Sequence, residues 1–333
     1  MTRSAGHSWD PARLSHAPER PARYTRLPPT GDSVVTTLQH TDLSDSVRQH
    51  YPWPGADHTL SSGHRLHYLD EGSGETLLMV HGNPTWSFYW RTLVHGLSSD
   101  YRCVVPDHVG CGLSDKPKEF RARLIDHIDN LVELIDHLDL QDITLVVHDW
   151  GGAIGFGAAL KRPERFKRLV VFNTAVFIMP VPLSIRLSRM PLIGEPAVLG
   201  INAFLRIGMF RALVDRSRYK GGVAEGYRAP YNSWENRRAM LKFIRDIPLE
   251  EGHPTRETIQ WLDDNVASLS HLPTTFIWGM QDFVFTGAFL DNWLGRFPEA
   301  EVHKLEDAGH FVVEDGHERI VPIVRDFLGR HAL

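Results

Sequence analysis

Two rhythms of apolar and polar positions organise the chain. Short runs rich in apolar and β-branched residues occur at 76–80, 101–105, 143–147, 166–172, 273–278 and 300–305, as expected of strands buried on both faces of a parallel sheet. Residues 60–69 read as a hairpin turning at Ser62-Gly63. Helical spacing takes over at 125–138, where Ile125, Ile128, Leu131, Val132, Ile135 and Leu138 share a face, and again in the last helix, with Ile320, Val321, Ile323, Val324, Phe327 and Leu328. Strands alternating with helices predict a mostly parallel central sheet with helices on both faces. From 175 to 272 the spacing is helical, with Pro and Gly breaks and no convincing strand. That stretch predicts a helical cap inserted into a core domain made of 46–174 and 273–333. Residues 1–45, with many Arg and Pro, read as a disordered extension, folded structure starting near Tyr51.

The stretch around which the rest is arranged is Leu145-Val146-Val147-His148-Asp149-Trp150-Gly151-Gly152. A buried strand ends at a polar residue, paired glycines follow, and a helix-compatible segment rich in Ala and Gly comes next. Strand, tight turn and helix are the context of a nucleophile elbow, with Asp149 at its apex. Glycine after the apex permits a sharp reversal and close approach of helix to strand. A carboxylate there suits displacement at a tetrahedral carbon, because it forms an alkyl ester on the enzyme. The plainer explanation of Asp149 is an N-cap for the following helix.

In an open α/β sheet, chemistry gathers at the carboxyl ends of the strands. Besides Asp149, Asn83 follows the strand 76–80, Asp282 follows 273–278, and His310 follows the last strand. The order nucleophile, acid, base assigns Asp149 to attack carbon and His310 to take a proton from water. Asp282 would hold the imidazole in one tautomer and stabilise its cation. The backbone N–H groups of Trp150 and Asn83 would bind the oxyanion of the second step. Their side-chain N–H groups, one on each side of the nucleophile, suit a departing anion.

Composition narrows the classes. The 333 residues are 42% hydrophobic and 23% charged, with a formal net charge of −5, which gives no basic stripe for a nucleic-acid partner. Two cysteines, Cys103 and Cys111, offer neither a metal site nor a disulfide framework, so no metal and no cofactor are expected. No segment is long and apolar enough to predict a transmembrane span, and residues 1–30 lack the apolar core of a secretory leader. A cytoplasmic enzyme of a small apolar substrate is the expectation.

These motifs give a resemblance to the haloalkane dehalogenase branch of the α/β-hydrolases over about 51–330. It is carried by His81-Gly82-Asn83-Pro84-Thr85-Trp86, Val147-His148-Asp149-Trp150-Gly151, Trp278-Gly279-Met280-Gln281-Asp282 and Ala308-Gly309-His310-Phe311. It implies the α/β-hydrolase fold with an inserted helical cap, and Asn83 and Trp150 as leaving-group binders. One subfamily places a Glu acid where Asn173 stands here, and another uses a second Trp from the early cap. The third, with Asp after the next strand, matches best. The resemblance leaves two chemistries open. The first is hydrolysis of a haloalkane to alcohol and halide through an alkyl-enzyme ester. The second follows from Ala229-Pro230-Tyr231-Asn232-Ser233-Trp234-Glu235-Asn236-Arg237 and Asp282-Phe283-Val284-Phe285, which look like β-lactone decarboxylases of bacterial olefin biosynthesis. Those release carbon dioxide and a cis-alkene with the same catalytic residues. A homo-oligomer, or an assembly with other olefin-biosynthesis enzymes, fits either reading. An epoxide hydrolase would want an aromatic residue at position 83, although Tyr219, Tyr227 and Tyr231 could stand for its cap tyrosines. A fluoroacetate dehalogenase would want Arg at position 150. A non-catalytic binding protein of this fold would have lost the nucleophile or the histidine. The apolar stretch 181–214 is expected to pack on the core domain and to wall the pocket.

Overall fold

The computed structural model describes residues 38–333; most of the predicted extension lies outside the described residues. Structure begins before Tyr51, with a 3-10 turn at His40–Asp42 and a first short helix α1 (Asp45–Arg48), capped by Ser44. Val47 is fully buried, which anchors this segment.

Among the described residues, eight strands form one sheet: β1 (Ala56–Thr59), β2 (Arg65–Glu71), β3 (Thr76–Val80), β4 (Arg102–Pro106), β5 (Ile143–Val147), β6 (Phe166–Phe172), β7 (Thr274–Gly279) and β8 (Glu301–Leu305). Their order is β1-β2-β4-β3-β5-β6-β7-β8. The β1–β2 and β2–β4 pairs are antiparallel and the rest are parallel. The hairpin is longer than its sequence suggested, its first strand lying wholly before residue 60.

Helices fill the connections: α2 (Arg91–Leu97), α3 (Leu124–His137), α4 (Trp150–Lys161), α5 (Leu183–Arg189), α6 (Pro191–Gly194), α7 (Ala203–Ala212), α8 (Gly221–Arg228), α9 (Arg238–Arg245), α10 (Arg256–Asn265), α11 (Gly287–Arg296) and α12 (Val312–Arg330). Successive strand residues point to opposite faces, and the core divides accordingly. Leu77, Met79, Val146, Val170 and Ile277 face the side covered by α2 and α12. Leu78, Val80, Leu145, Val147, Val171 and Phe276 face the side of α3, α4, α10 and α11. Both faces of β3 and β5 are therefore buried, which is why their sequences are uninterrupted apolar runs.

The chain leaves β3 toward β4 on one side and returns to β5 on the other. The strand order thus reverses between β3 and β5, and the crevice at their carboxyl ends is where such sheets bind ligands. Between β6 and β7 every described regular element is helical. The segment does not remain a cap throughout, because α10 packs on α4 in the core layer.

A buried ion pair ties core to cap. Arg91 pairs through two bonds with Glu314 at the start of α12, one of them 2.9 Å, and the Tyr227 hydroxyl of α8 donates to the same carboxylate at 2.5 Å. Burial works against both charges. The Arg91 guanidinium outweighs it for Glu314 and holds its carboxyl below the usual range, while Glu314 raises Arg91. Removing one partner of such a pair strands the other's charge. Glu314→Gln is expected to cost about 3–5 kcal/mol in urea unfolding. The double change Arg91→Met/Glu314→Leu should cost clearly less than the single one.

Candidate active site

The elbow sits where the strand order reverses. Asp149 follows β5 with φ +52° and ψ −129°, a region non-glycine residues visit at a cost of about 1–3 kcal/mol. Its neighbours hold it there. The Asp149 N–H donates to the Asn173 carbonyl at 2.9 Å, and its own carbonyl accepts from Gly152 N–H at 2.9 Å and from the Thr174 hydroxyl at 2.5 Å. A Cβ on Gly152 would collide with that hydroxyl, and one on Gly82 would collide with the Asp149 carboxylate. The apex is therefore built by close approach that only glycine allows on either side.

The Asp149 carboxylate accepts at Oδ1 from the Asn83 N–H at 2.6 Å, and the Trp150 N–H also bonds to the carboxylate. The two peptide donors expected around an oxyanion thus already face this side chain. Oδ2 lies 3.8 Å from His310 Nε2. The Asp149 side chain is not on the surface, as an elbow alone would suggest, but beneath the cap and 9% exposed. Burial, with Asp282 adding to it, pushes its pKa above the ordinary carboxylate range, against His310 and the two peptide N–H groups.

His310 Nδ1–H donates to Asp282 Oδ2 at 2.9 Å, and Asp282 Oδ1 accepts the N–H of Val284 at 2.6 Å. This fixes the tautomer with Nε2 turned toward Asp149. Burial disfavours the charged imidazole, but Asp282 and then Asp149 outweigh it and raise the His310 pKa above its usual value. Phe285 stacks on the ring at 5.7 Å.

One cavity of about 330 Å³ opens onto these groups. Asp149, His310, Asn83 and Trp150 line it together, and Asp282 stands behind His310. The Asn83 Nδ2 contact to the Met240 carbonyl is long, 3.4 Å, and Oδ1 has no partner among the described residues. Apolar side chains make most of the remaining wall, among them Ile185, Val198, Phe204 and Ile207 from the cap and Phe283, Val284 and Phe285 from the loop after β7.

Asn173 is no acid substitute. Its side chain donates to the Gly279 carbonyl at 3.0 Å and accepts the Gly279 N–H at 2.8 Å, pinning the end of the strand that carries Asp282. Tyr219, Tyr227 and Tyr231 do not line the cavity. Tyr227 serves Glu314, and Tyr231 donates to the Thr85 carbonyl at 3.0 Å, so the epoxide hydrolase reading loses its support. The 229–237 motif is a brace instead. Arg237 Nε donates to the Tyr231 carbonyl at 2.9 Å, and Nη1 donates to the Leu199 and Gly200 carbonyls, the latter at 2.8 Å.

Three supporting residues escaped the sequence reading. His148 donates from Nε2 to the His310 carbonyl at 2.8 Å and stacks on Tyr89 at 4.6 Å; burial, reinforced by His310, keeps it neutral. Asp315 accepts from the N–H groups of Gly309, Val214 and Asp215, fastening the histidine loop to the cap. Thr174 is the third. His148 adjoins the nucleophile, the one cue available in the sequence. No group of three potential metal ligands occurs among the described residues.

Residues 75–317 match the alpha/beta hydrolase fold family. The cis-3-alkyl-4-alkyloxetan-2-one decarboxylase of Shewanella oneidensis is 43% identical over 283 residues, covering 83% of this chain and 89% of that protein. The protein of the same name from Xanthomonas campestris is 41% identical over 285 residues, covering 81% and 94%. Haloalkane dehalogenase 2 of Mycobacterium bovis is 29% identical over 301 residues, covering 84% and 97%. Among solved structures, the haloalkane dehalogenase DatA of Agrobacterium tumefaciens superposes with a TM-score of 0.73 at 26% identity, covering 84% of this chain and 97% of that one.

Burying an ionised Asp149 has a consequence for stability. An acid whose pKa is raised on folding destabilises the fold above that raised value and does nothing below its unfolded value. Asp149→Asn is therefore expected to raise the thermal unfolding midpoint at neutral pH. The gain should shrink as the pH falls below the raised pKa and vanish below the unfolded-state value, as calorimetry at neutral and acidic pH would register.

Proposed function

The chain belongs to the α/β-hydrolase fold family as one of its enzymes, and within it we propose a β-lactone decarboxylase that converts a cis-3,4-dialkyl oxetan-2-one to a cis-alkene and carbon dioxide. The observation that carries the reading is the cavity: largely apolar walls, with Asp149, Asn83, Trp150 and His310 as the cluster of reacting groups. The 41–43% identity to proteins named for that reaction, against 29% for a dehalogenase, supports it over halide displacement.

Each residue has a place in a balanced sequence. Asp149 Oδ2 attacks ring carbon 4, and the bond from that carbon to the ring oxygen breaks. The products are an alkyl ester on Asp149 and a free carboxylate on carbon 3, with inversion at carbon 4. The side-chain N–H groups of Asn83 and Trp150, and the His310 cation held by Asp282, receive the charge leaving the ring. The carboxylate then loses carbon dioxide. Its C–C electron pair becomes the double bond, and the ester bond breaks to restore the Asp149 carboxylate. Anti fragmentation after one inversion keeps the alkene cis. The negative charge passes from the substrate carboxylate to Asp149, whose carboxylate the Asn83 and Trp150 peptide N–H groups already face, and neutral carbon dioxide leaves. No water enters and no net proton moves.

Halide displacement uses the same nucleophile but needs water to attack the ester carbonyl of Asp149, with His310 as base. The two reactions therefore write different isotopic records. Turnover of a cis-β-lactone in H2 18O should leave Asp149 unlabelled, read by peptide mass spectrometry, while an organic extract shows alkene. Turnover of a bromoalkane would place 18O in the carboxylate.

Substrate length tests the cavity. Each buried methylene contributes about 0.8 kcal/mol, roughly fourfold in binding. The specificity constant for cis-β-lactones should therefore climb steeply with chain length, with short bromoalkanes turned over slowly. Short bromoalkanes as the best substrates, with long-chain lactones inert, would exclude the proposal.

A further inference from the structure

The cap segment packs part of its apolar surface on the core, as expected, and turns much of the rest outward. Leu192 is 91% exposed, Ile201 69% and Leu183 68%, and Leu187, Ile207 and Phe210 are also exposed. These side chains belong to consecutive helical pieces, α5, α6, the π-helical Glu195–Gly200 and α7, each packed on the next. Along α5, Leu183 and Leu187 stand one turn apart, as do Ile207 and Phe210 on α7, so each pair shares a helix face.

The charge on this segment has one sign. Between 181 and 214 the basic residues are Arg186, Arg189, Arg206 and Arg211, and the sole acid is Glu195. Glu195 is held by Arg245 at 2.8 Å, and Arg189 by Glu250 at 2.6 Å. Among the described residues, no carboxylate pairs with Arg186, Arg206 or Arg211, and all three are exposed. An exposed apolar surface bordered by unneutralised arginines is the composition of a segment that lies in a membrane interface. Among the described residues no single helix is long and apolar enough to span a bilayer, and the pieces 192–200 and 203–212 meet at 80°, a geometry suited to lying on a surface.

The same segment borders the cavity mouth. Ile207 and Arg211 on α7, and Ile178 just before the cap helices, are at once exposed and part of the cavity wall, and Arg211 lies over the Phe283 ring at 4.5 Å. We infer that the α5–α7 face docks on an anionic lipid bilayer, setting the cavity mouth against the acyl region so that an apolar substrate enters without crossing water. The use of the docked mouth rests on the lactone reading; the docking itself does not. A protein partner fits the face less well, since its most exposed leucine projects almost wholly into solvent.

Flotation of the full chain with vesicles, without substrate, tests the docking apart from the chemistry. Binding to phosphatidylglycerol/phosphatidylcholine vesicles is expected to exceed binding to pure phosphatidylcholine at least tenfold, and to weaken at high salt. The triple variant Leu183→Asp/Leu192→Asp/Ile201→Asp, none of which lines the cavity, should lose more than tenfold with an unchanged unfolding midpoint. Arg186→Glu/Arg206→Glu should abolish the preference for anionic lipid, and it serves as the second test if the triple variant misfolds. Failure of the wild type to float with either vesicle overturns the inference. So does a triple variant that floats as well as the wild type. A loss confined to oligomer size, read by light scattering, also overturns it and assigns the face to a second copy of the chain.

Discussion

The strained backbone at Asp149 is the constraint on which the site depends. A residue at φ +52° survives only where its surroundings over-determine it, and here they come from the ends of two neighbouring strands and from the helix that follows. Asn173 and Thr174 after β6 bond to the Asp149 main chain, Asn83 after β3 bonds to its carboxylate, and Gly82 and Gly152 leave room for both. Asn173 in turn fixes Gly279 at the end of β7, so the strand supplying Asp282 is set by the residue beside the elbow. Local strain is offset by pairing distributed over the sheet.

The second feature is the placing of charge in an apolar enclosure. Asp149, His310 and Asp282 are buried together, and the ionisation of Asp149 and of His310 depends on their charged neighbours in this enclosure. Burial raises the nucleophile, and two carboxylates raise the imidazole despite burial. His148, kept neutral by burial, contributes only a hydrogen bond to the loop that bears His310. The cap closes the enclosure from above. It is held at several points away from the reacting groups, among them Glu314 with Tyr227, Asp315 with the end of α7, and Thr85 with Tyr231.

The cap also breaks the usual economy of burial. Val198, Leu199, Leu205, Met209 and Leu213 are buried, while their neighbours Leu192, Ile201 and Ile207 face outward. Together these give the segment two apolar sides, one packed into the core and one turned toward the surroundings.

The sequence by itself determined the strands from residue 76 onward, the elbow and the residues that meet at it, but not the first strand of the hairpin. Buried strands are apolar throughout, and an elbow demands glycines at fixed offsets, so both leave local marks that need no knowledge of contacts. It missed α2 and α11, whose short amphipathic stretches are weak against the strand signals beside them, and it placed the start of folded structure too late. Only the tertiary structure decided that Asp149 lies buried beneath a cap, that Tyr227 and Tyr231 serve the scaffold, and that α10 belongs to the core layer. The direction of the apolar cap residues belongs to the same class. Helical periodicity says that a face is apolar, but what that face meets depends on elements distant in the chain.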